Sequence, residues 1–195
     1  MTDDISDRVK FHGEQILSKD WATLRKVDFS WRRSDGQWQR MSREVYDRGG
    51  AAVILLYDPE RRTVVLTSQF RMAPFQGGYR GLMVEAAAGM LDGEDPTRRV
   101  IAEAEEETGY ALAEVTRLFH AFMAPGSMTE AMHFFVGRYN AAQKTGAGGG
   151  HPHEGEDIEV LEMPFDDAYA MIADGRIVDA KTIILLQWAK LNVFA

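Results

Sequence analysis

Glu103, Glu106 and Glu107 fall three and four residues apart in the run Ala102-Glu103-Ala104-Glu105-Glu106-Glu107-Thr108-Gly109-Tyr110. On a helix turning about 100° per residue, Glu107 lies about 40° to one side of Glu103 and Glu106 about 60° to the other. Three carboxylates therefore share one face, beside an apolar stripe of Val100, Ile101 and Ala104, while Glu105 points away toward solvent. Like charges at this spacing cost a few tenths of a kcal/mol per pair, so a set bordering the core invites a compensating cation. A hard divalent ion such as magnesium takes carboxylate oxygens and keeps water positions for a phosphate ligand. The plainer reading of the same residues is a solvated acidic helix face.

Asp95 is a good N-cap, Pro96 suits the first helical position and Gly109 is placed to end the helix, so these residues should position the carboxylates. The acid is also concentrated here. The 195-residue chain has 30 acidic and 22 basic side chains, a formal charge of −8. Gly89 to Tyr110 carries −5 of it and Glu154 to Glu159 another −4, which leaves the remainder at +1. That balance argues against a nucleic-acid footprint and a polybasic membrane anchor. Cysteine is absent, which excludes disulfides, zinc thiolate sites and cysteine nucleophiles. No apolar run approaches the roughly 20 residues that span a bilayer, and Met1-Thr2-Asp3-Asp4 lacks a signal-peptide start. The expected compartment is the cytoplasm.

The rest of the chain reads as strands and helices that could carry this site. Val27, Phe29 and Trp31 alternate with polar residues ahead of a turn at Ser34-Asp35-Gly36. Ala51 to Tyr57 and Thr63 to Leu66 form a hairpin pattern, and a strand around Leu82 to Ala88 leads into the acidic segment. Further strands are expected at Leu118–Met123, Met132–Tyr139 and Ile158–Met163, and helices at Phe165–Ala173 and Lys181–Leu191. Asn140 to Gly155, with Gly146-Ala147-Gly148-Gly149-Gly150, reads as a flexible loop too polar and glycine-rich to pack. The expected fold is α+β, a mixed sheet sandwiched by helices, after a small β-rich extension. The division is residues 1–46 for the extension and 47–195 for the main domain.

Gly89-Met90-Leu91-Asp92-Gly93-Glu94, seven residues, then Ala102 to Tyr110 resembles the Nudix box, and with it the α/β/α sandwich of that family. Two departures stand out: the first gap is four residues instead of five, and Ala102 occupies the usual arginine position. Arg43-Glu44-Val45-Tyr46-Asp47-Arg48-Gly49, Gln69-Phe70-Arg71, Ala88-Gly89, Pro125 to Glu130 and Glu156 to Glu162 resemble the GDP-mannose pyrophosphatase branch, which is close to the ADP-ribose pyrophosphatases. The shortened box is itself a feature of that branch. The resemblance runs from about Ile16 to the last helix.

The resemblance implies a site. Glu103, Glu106 and Glu107 would be catalytic carboxylates and magnesium ligands, with manganese as a substitute, joined by the Ala88 carbonyl and by Glu156 from the late loop. Glu154 competes with Glu156, and His151 and His153 are expected to be solvated. For substrate it points to Arg43, Glu44, Arg71, Ala88, Gly89, Met90, Glu130 and Lys181, with Trp21 stacking on a base; the residues alone equally allow Trp21 as a core tryptophan of the extension. Arginine suits phosphate because its planar fork binds bidentately. Arg99, one turn before Glu103, is expected to pair with it and stand in for the missing arginine. The implied activity is magnesium-dependent hydrolysis of a nucleoside diphosphate sugar, GDP-mannose to GMP and mannose 1-phosphate, in a homodimer that shares its nucleotide sites. The alternatives are ADP-ribose, giving AMP and ribose 5-phosphate, and a non-catalytic Nudix-fold sensor, which should have lost part of the carboxylate set.

Overall fold

The computed structural model describes residues 4–195, the side chain of Glu154 excepted; Met1, Thr2 and Asp3 lie outside the described residues. Two compact units emerge, one from residues up to Gly49 with Phe122–Glu130, the other from Gly50–Ala121 with Ala131–Ala195.

The first unit is an antiparallel meander of β1 (Val9–Lys19), β2 (Thr23–Arg32) and β3 (Trp38–Asp47). Alternation sorts its side chains: Phe11 pairs with Phe29 and Phe29 with Met41, so one face is apolar. The 122–130 segment is fastened to β3, with Tyr46 N donating to Ser127 O at 2.8 Å and Thr129 Oγ1 to Asp47 Oδ1 at 2.8 Å.

The second unit is built on β4 (Ala51–Asp58), in which Ala52 to Leu56 are fully buried. An unbroken apolar run of this kind belongs to a strand covered on both faces. β4 pairs antiparallel with β5 (Thr63–Gln69) and parallel with β9 (Ala131–Arg138), and β10 (Glu159–Pro164) and β8 (Thr116–Phe122) close the two edges. Ala52, Ile54 and Leu56 face Val100 and Ala104 of α2 (Pro96–Thr108), with Val65, Phe135 and Tyr139 completing that layer. Tyr57, on the opposite alternation, meets Phe194, which stacks on Phe165 at the start of α3 (Phe165–Ala173), and α4 (Ala180–Asn192) covers the same side. The result is a mixed sheet between helical layers, as the sequence leads one to expect. None of the helices among the described residues is long and apolar enough to cross a membrane.

Two expectations need correction. The strand foreseen at Leu82 to Ala88 is two short strands, β6 (Met83–Glu85) on β5 and β7 (Ala87–Met90) on β4. The break falls at Ala86, whose N–H donates to Thr182 Oγ1 of α4 at 2.7 Å rather than to a strand. The glycine-rich loop packs after all. Its backbone N–H groups donate to the last carbonyls of α2: Gly149 to Glu107 O at 2.9 Å and Gly150 to Glu106 O at 3.1 Å. Those carbonyls have no partner within their own helix, and glycine alone brings a backbone this close to them. A Cβ at Gly148, whose φ is +71°, would sit 2.5 Å from Glu107 O. A further short helix, α1 (Met72–Gln76), follows β5 and was not foreseen.

Candidate active site

α2 is fixed at both ends by the residues that its sequence suggests. Asp95 accepts from Thr97 N at 3.0 Å and Arg98 N at 3.1 Å, Pro96 opens the helix, and Gly109 closes it in the left-handed region with φ +75°. This phase turns Glu103 and Glu107 inward against β7, so they are buried rather than flanking the apolar stripe, while Glu106 stays half-buried. Gly89 is the reason that Glu103 fits: a Cβ there would lie 1.6 Å from Glu103 Oε1. Ala88 N donates to Glu107 Oε2 at 3.3 Å.

Burial has an electrostatic cost. It pushes Glu107 up to about 8, with Glu103 and Glu156 adding repulsion, and Arg71 and the Ala88 bond pulling the other way. Glu103 rises to about 7, again chiefly from burial, with Arg99 the main opposing influence. Arg99 is well placed for this. Its Nη2 pairs with Glu103 Oε1, its Nη1 lies 3.9 Å from Glu106 Oε2, and its Nε donates to Met90 O at 3.1 Å. The expected Arg99–Glu103 pair is therefore formed.

The docked loop brings Glu156 to the same carboxylates, whose protonation it raises, and His151 N holds its Oε2 at 2.8 Å. Glu154, its competitor, has no described side chain. The His151 ring stands 3.7 Å from Glu106 Oε2, closer to the site than a solvated histidine. Arg71 donates through Nε to Glu85 Oε2 at 2.9 Å, and Lys181, buried, donates to Glu85 Oε1 at 2.8 Å and meets Asp179 Oδ1 at 2.9 Å. Glu85 and Asp179 escaped the sequence reading. The signal for Glu85 was present: an acid inside an otherwise apolar strand needs a buried partner.

The remaining candidates lie in the three-stranded unit. Trp21 is 72% exposed with the Arg48 guanidinium 4.8 Å over its ring, which removes the core-tryptophan alternative. Arg48 Nε stands 3.1 Å from Glu130 Oε2, and Glu130 is buried. Arg43 and Glu44 are neighbours on β3 and so face opposite sides of its sheet. Arg43 donates to Ser42 O at 2.8 Å, and Glu44 is exposed.

Among the described residues no three acidic or histidine side chains already stand as a metal cage. The chemistry of the donors nevertheless fits a divalent ion: anionic oxygens crowded in a desolvated space, two of them pushed toward their protonated forms chiefly by burial and further by neighbouring carboxylates.

A capped helix that buries two carboxylates against a glycine-bearing strand of a mixed sheet is an arrangement suited to holding a divalent ion against a phosphate. The NUDIX domain model matches residues 47–186, and the chain belongs to the Nudix hydrolases, which act on phosphoanhydride bonds and generally use divalent metal ions. Residues 8–46 match the model described as the GDP-mannose pyrophosphatase NudK N-terminal domain. Relatives named GDP-mannose pyrophosphatase include that of Klebsiella pneumoniae, 48% identical over 90% of this chain and 88% of its own. Those of Pectobacterium atrosepticum (49%; 90% and 91%) and an Escherichia coli strain (46%; 92% and 93%) are similar. A crystal structure described as an ADP compounds hydrolase shares the fold, with a TM-score of 0.72 at 18% identity over 94% of this chain and 95% of that one.

Proposed function

We propose that this protein hydrolyses the pyrophosphate of a nucleoside diphosphate sugar, GDP-mannose first, to GMP and mannose 1-phosphate. The observation that carries the reading is the burial of Glu103 and Glu107 beside Gly89, intact in a chain 46–49% identical to GDP-mannose pyrophosphatases. A non-catalytic sensor would have no use for two carboxylates buried at this cost.

Glu103, Glu106, Glu107, Glu156 and the Ala88 carbonyl would hold magnesium, or manganese in its place. When bound, the ion neutralises phosphoryl oxygens and makes a coordinated water more acidic. Water adds to one phosphorus, the bridging P–O bond breaks, and the water's proton passes to a carboxylate. Glu106, the least buried of the three, suits that role. Arg71 and Lys181, with the backbone of Ala88, Gly89 and Met90, bind the diphosphate. Trp21, Arg43, Glu44 and Glu130 serve the nucleotide, Trp21 by stacking. The test is a panel of GDP-mannose, GDP-glucose, ADP-ribose and ADP-glucose with magnesium, products resolved by chromatography. GMP and mannose 1-phosphate should dominate; preferred release of AMP from ADP-ribose would move the assignment to the other base.

Arg99 takes the part of the arginine that Ala102 lacks. Arg99→Ala leaves Glu103 buried without its counter-charge, so kcat/KM should fall roughly 10–100-fold and magnesium should bind more weakly. Unchanged turnover and metal affinity would remove Arg99 from the account.

Residues 1–46 act as a homodimerisation unit and 47–195 as the catalytic domain, and the protein works in the cytoplasm. Phe11 is 77% exposed on the apolar face of the small sheet, with Val9, Val27 and Phe29 lining the same groove. Phe11→Asp should convert a dimer to a monomer in analytical ultracentrifugation; a wild-type monomer at the same concentration would contradict the assignment.

A further inference from the structure

Glu85 is a buried carboxylate that the hydrolytic steps above do not use. An isolated charge at this depth would be severely penalised, and two cations share the compensation. Lys181 holds Oε1, and is itself held by Asp179. Asp179 caps α4 through Oδ2, which accepts from Thr182 N at 3.0 Å and Thr182 Oγ1 at 2.6 Å. Thr182 Oγ1 in turn accepts from Ala86 N, next to Glu85 in the chain. The Glu85 carboxylate is thus braced from the start of α4 and from β6 together.

Its other oxygen, Oε2, grips Arg71 through Nε alone. Among the described residues, the terminal Nη groups of Arg71 make no hydrogen bond, and this side chain is 41% exposed. A guanidinium bound at Nε has its plane fixed and its outer fork turned away from the bond, which is the geometry that a phosphate accepts. Glu85 lies three residues before Ala88, whose N–H donates to Glu107 Oε2, so the Arg71 held by Glu85 stands at the edge of the carboxylate site.

We propose that Glu85 is a positioning residue: braced by Lys181, it fixes the Arg71 guanidinium so that its open fork meets the diphosphate of the substrate. This rests on the nucleoside diphosphate sugar reading. Without the grip, Arg71 samples many rotamers, and ordering it again is charged to substrate binding. The effect should therefore fall on KM rather than kcat.

The experiment compares wild type, Glu85→Gln, Arg71→Ala and the double variant with GDP-mannose and magnesium, alongside thermal unfolding. Glu85→Gln should raise KM roughly tenfold or more with kcat within about threefold, the scale of losing a charge-assisted bond. In the Arg71→Ala background the same change should alter KM less than about twofold, because its route is already gone. Glu85→Asp keeps the charge that Lys181 needs and shortens the reach, so it should fold and also raise KM. An unchanged KM in Glu85→Gln and Glu85→Asp, or full additivity in the double variant, overturns the proposal and leaves Glu85 a structural ion. A wild type inactive on GDP-mannose would contradict the substrate reading instead. The same four proteins would then be compared by calorimetry for magnesium-dependent binding of inorganic pyrophosphate, where additivity is again the overturning result.

Discussion

Glu107→Gln should lower turnover of GDP-mannose by roughly 10²–10³-fold or more, the loss expected when a group that organises charge at the reacting phosphate is removed. The same substitution should make the metal-free protein more stable at alkaline pH. Glu107 titrates near 8 in the fold against an ordinary 4.5, because burial disfavours its charge. The folded chain thus binds this proton more tightly than the unfolded chain. Its contribution is fully present below about pH 4.5 and is lost as pH rises through 8, by about 1.4 kcal/mol per unit at most. Glutamine keeps an acceptor for Ala88 N and has no proton to lose. In excess chelator its unfolding midpoint should exceed that of wild type at pH 8, and the two should converge toward pH 4.5. A variant that lost turnover and was also less stable at pH 8 would mark Glu107 as a packing residue.

Gly89→Ala should be nearly as damaging by a different route. The new Cβ meets Glu103 Oε1 at 1.6 Å, Cδ at 2.1 Å and Cγ at 2.7 Å. All three atoms belong to a movable side chain and the glycine has no left-handed φ, so the fold can survive while Glu103 swings out. Leaving the buried position also relieves the desolvation of that carboxylate. The expected result is a fall in kcat of about 10²-fold with an unfolding midpoint close to wild type. Full turnover in a folded Gly89→Ala protein would show that Glu103 need not stand against β7.

These two expectations depend on features that the sequence shows unequally. The rotation of α2 was readable because its causes are local: Asp95 and Pro96 start it, and Gly109 ends it. β4 was readable for a similar reason, since seven apolar residues in a row leave few other roles. The depth of Glu103 and Glu107 was not, because a helical wheel ranks faces and says nothing of how closely a glycine on another strand approaches. The packing of the glycine-rich loop was equally hidden. It is made by backbone N–H groups meeting the carbonyls of Glu106 and Glu107, and such bonds leave no mark in side-chain composition. Glu85 illustrates a third case: its acid was visible, but its partners Arg71 and Lys181 come from 14 and 96 residues away.

The central claim is that the α2 carboxylates act on the diphosphate through a divalent ion. It is tested most directly by the release of GMP and mannose 1-phosphate from GDP-mannose by metal-stripped protein as magnesium is titrated in. The account predicts no product in excess chelator and a saturable return of activity with magnesium, absent in Glu107→Gln. Product release at the wild-type rate in chelator would contradict it.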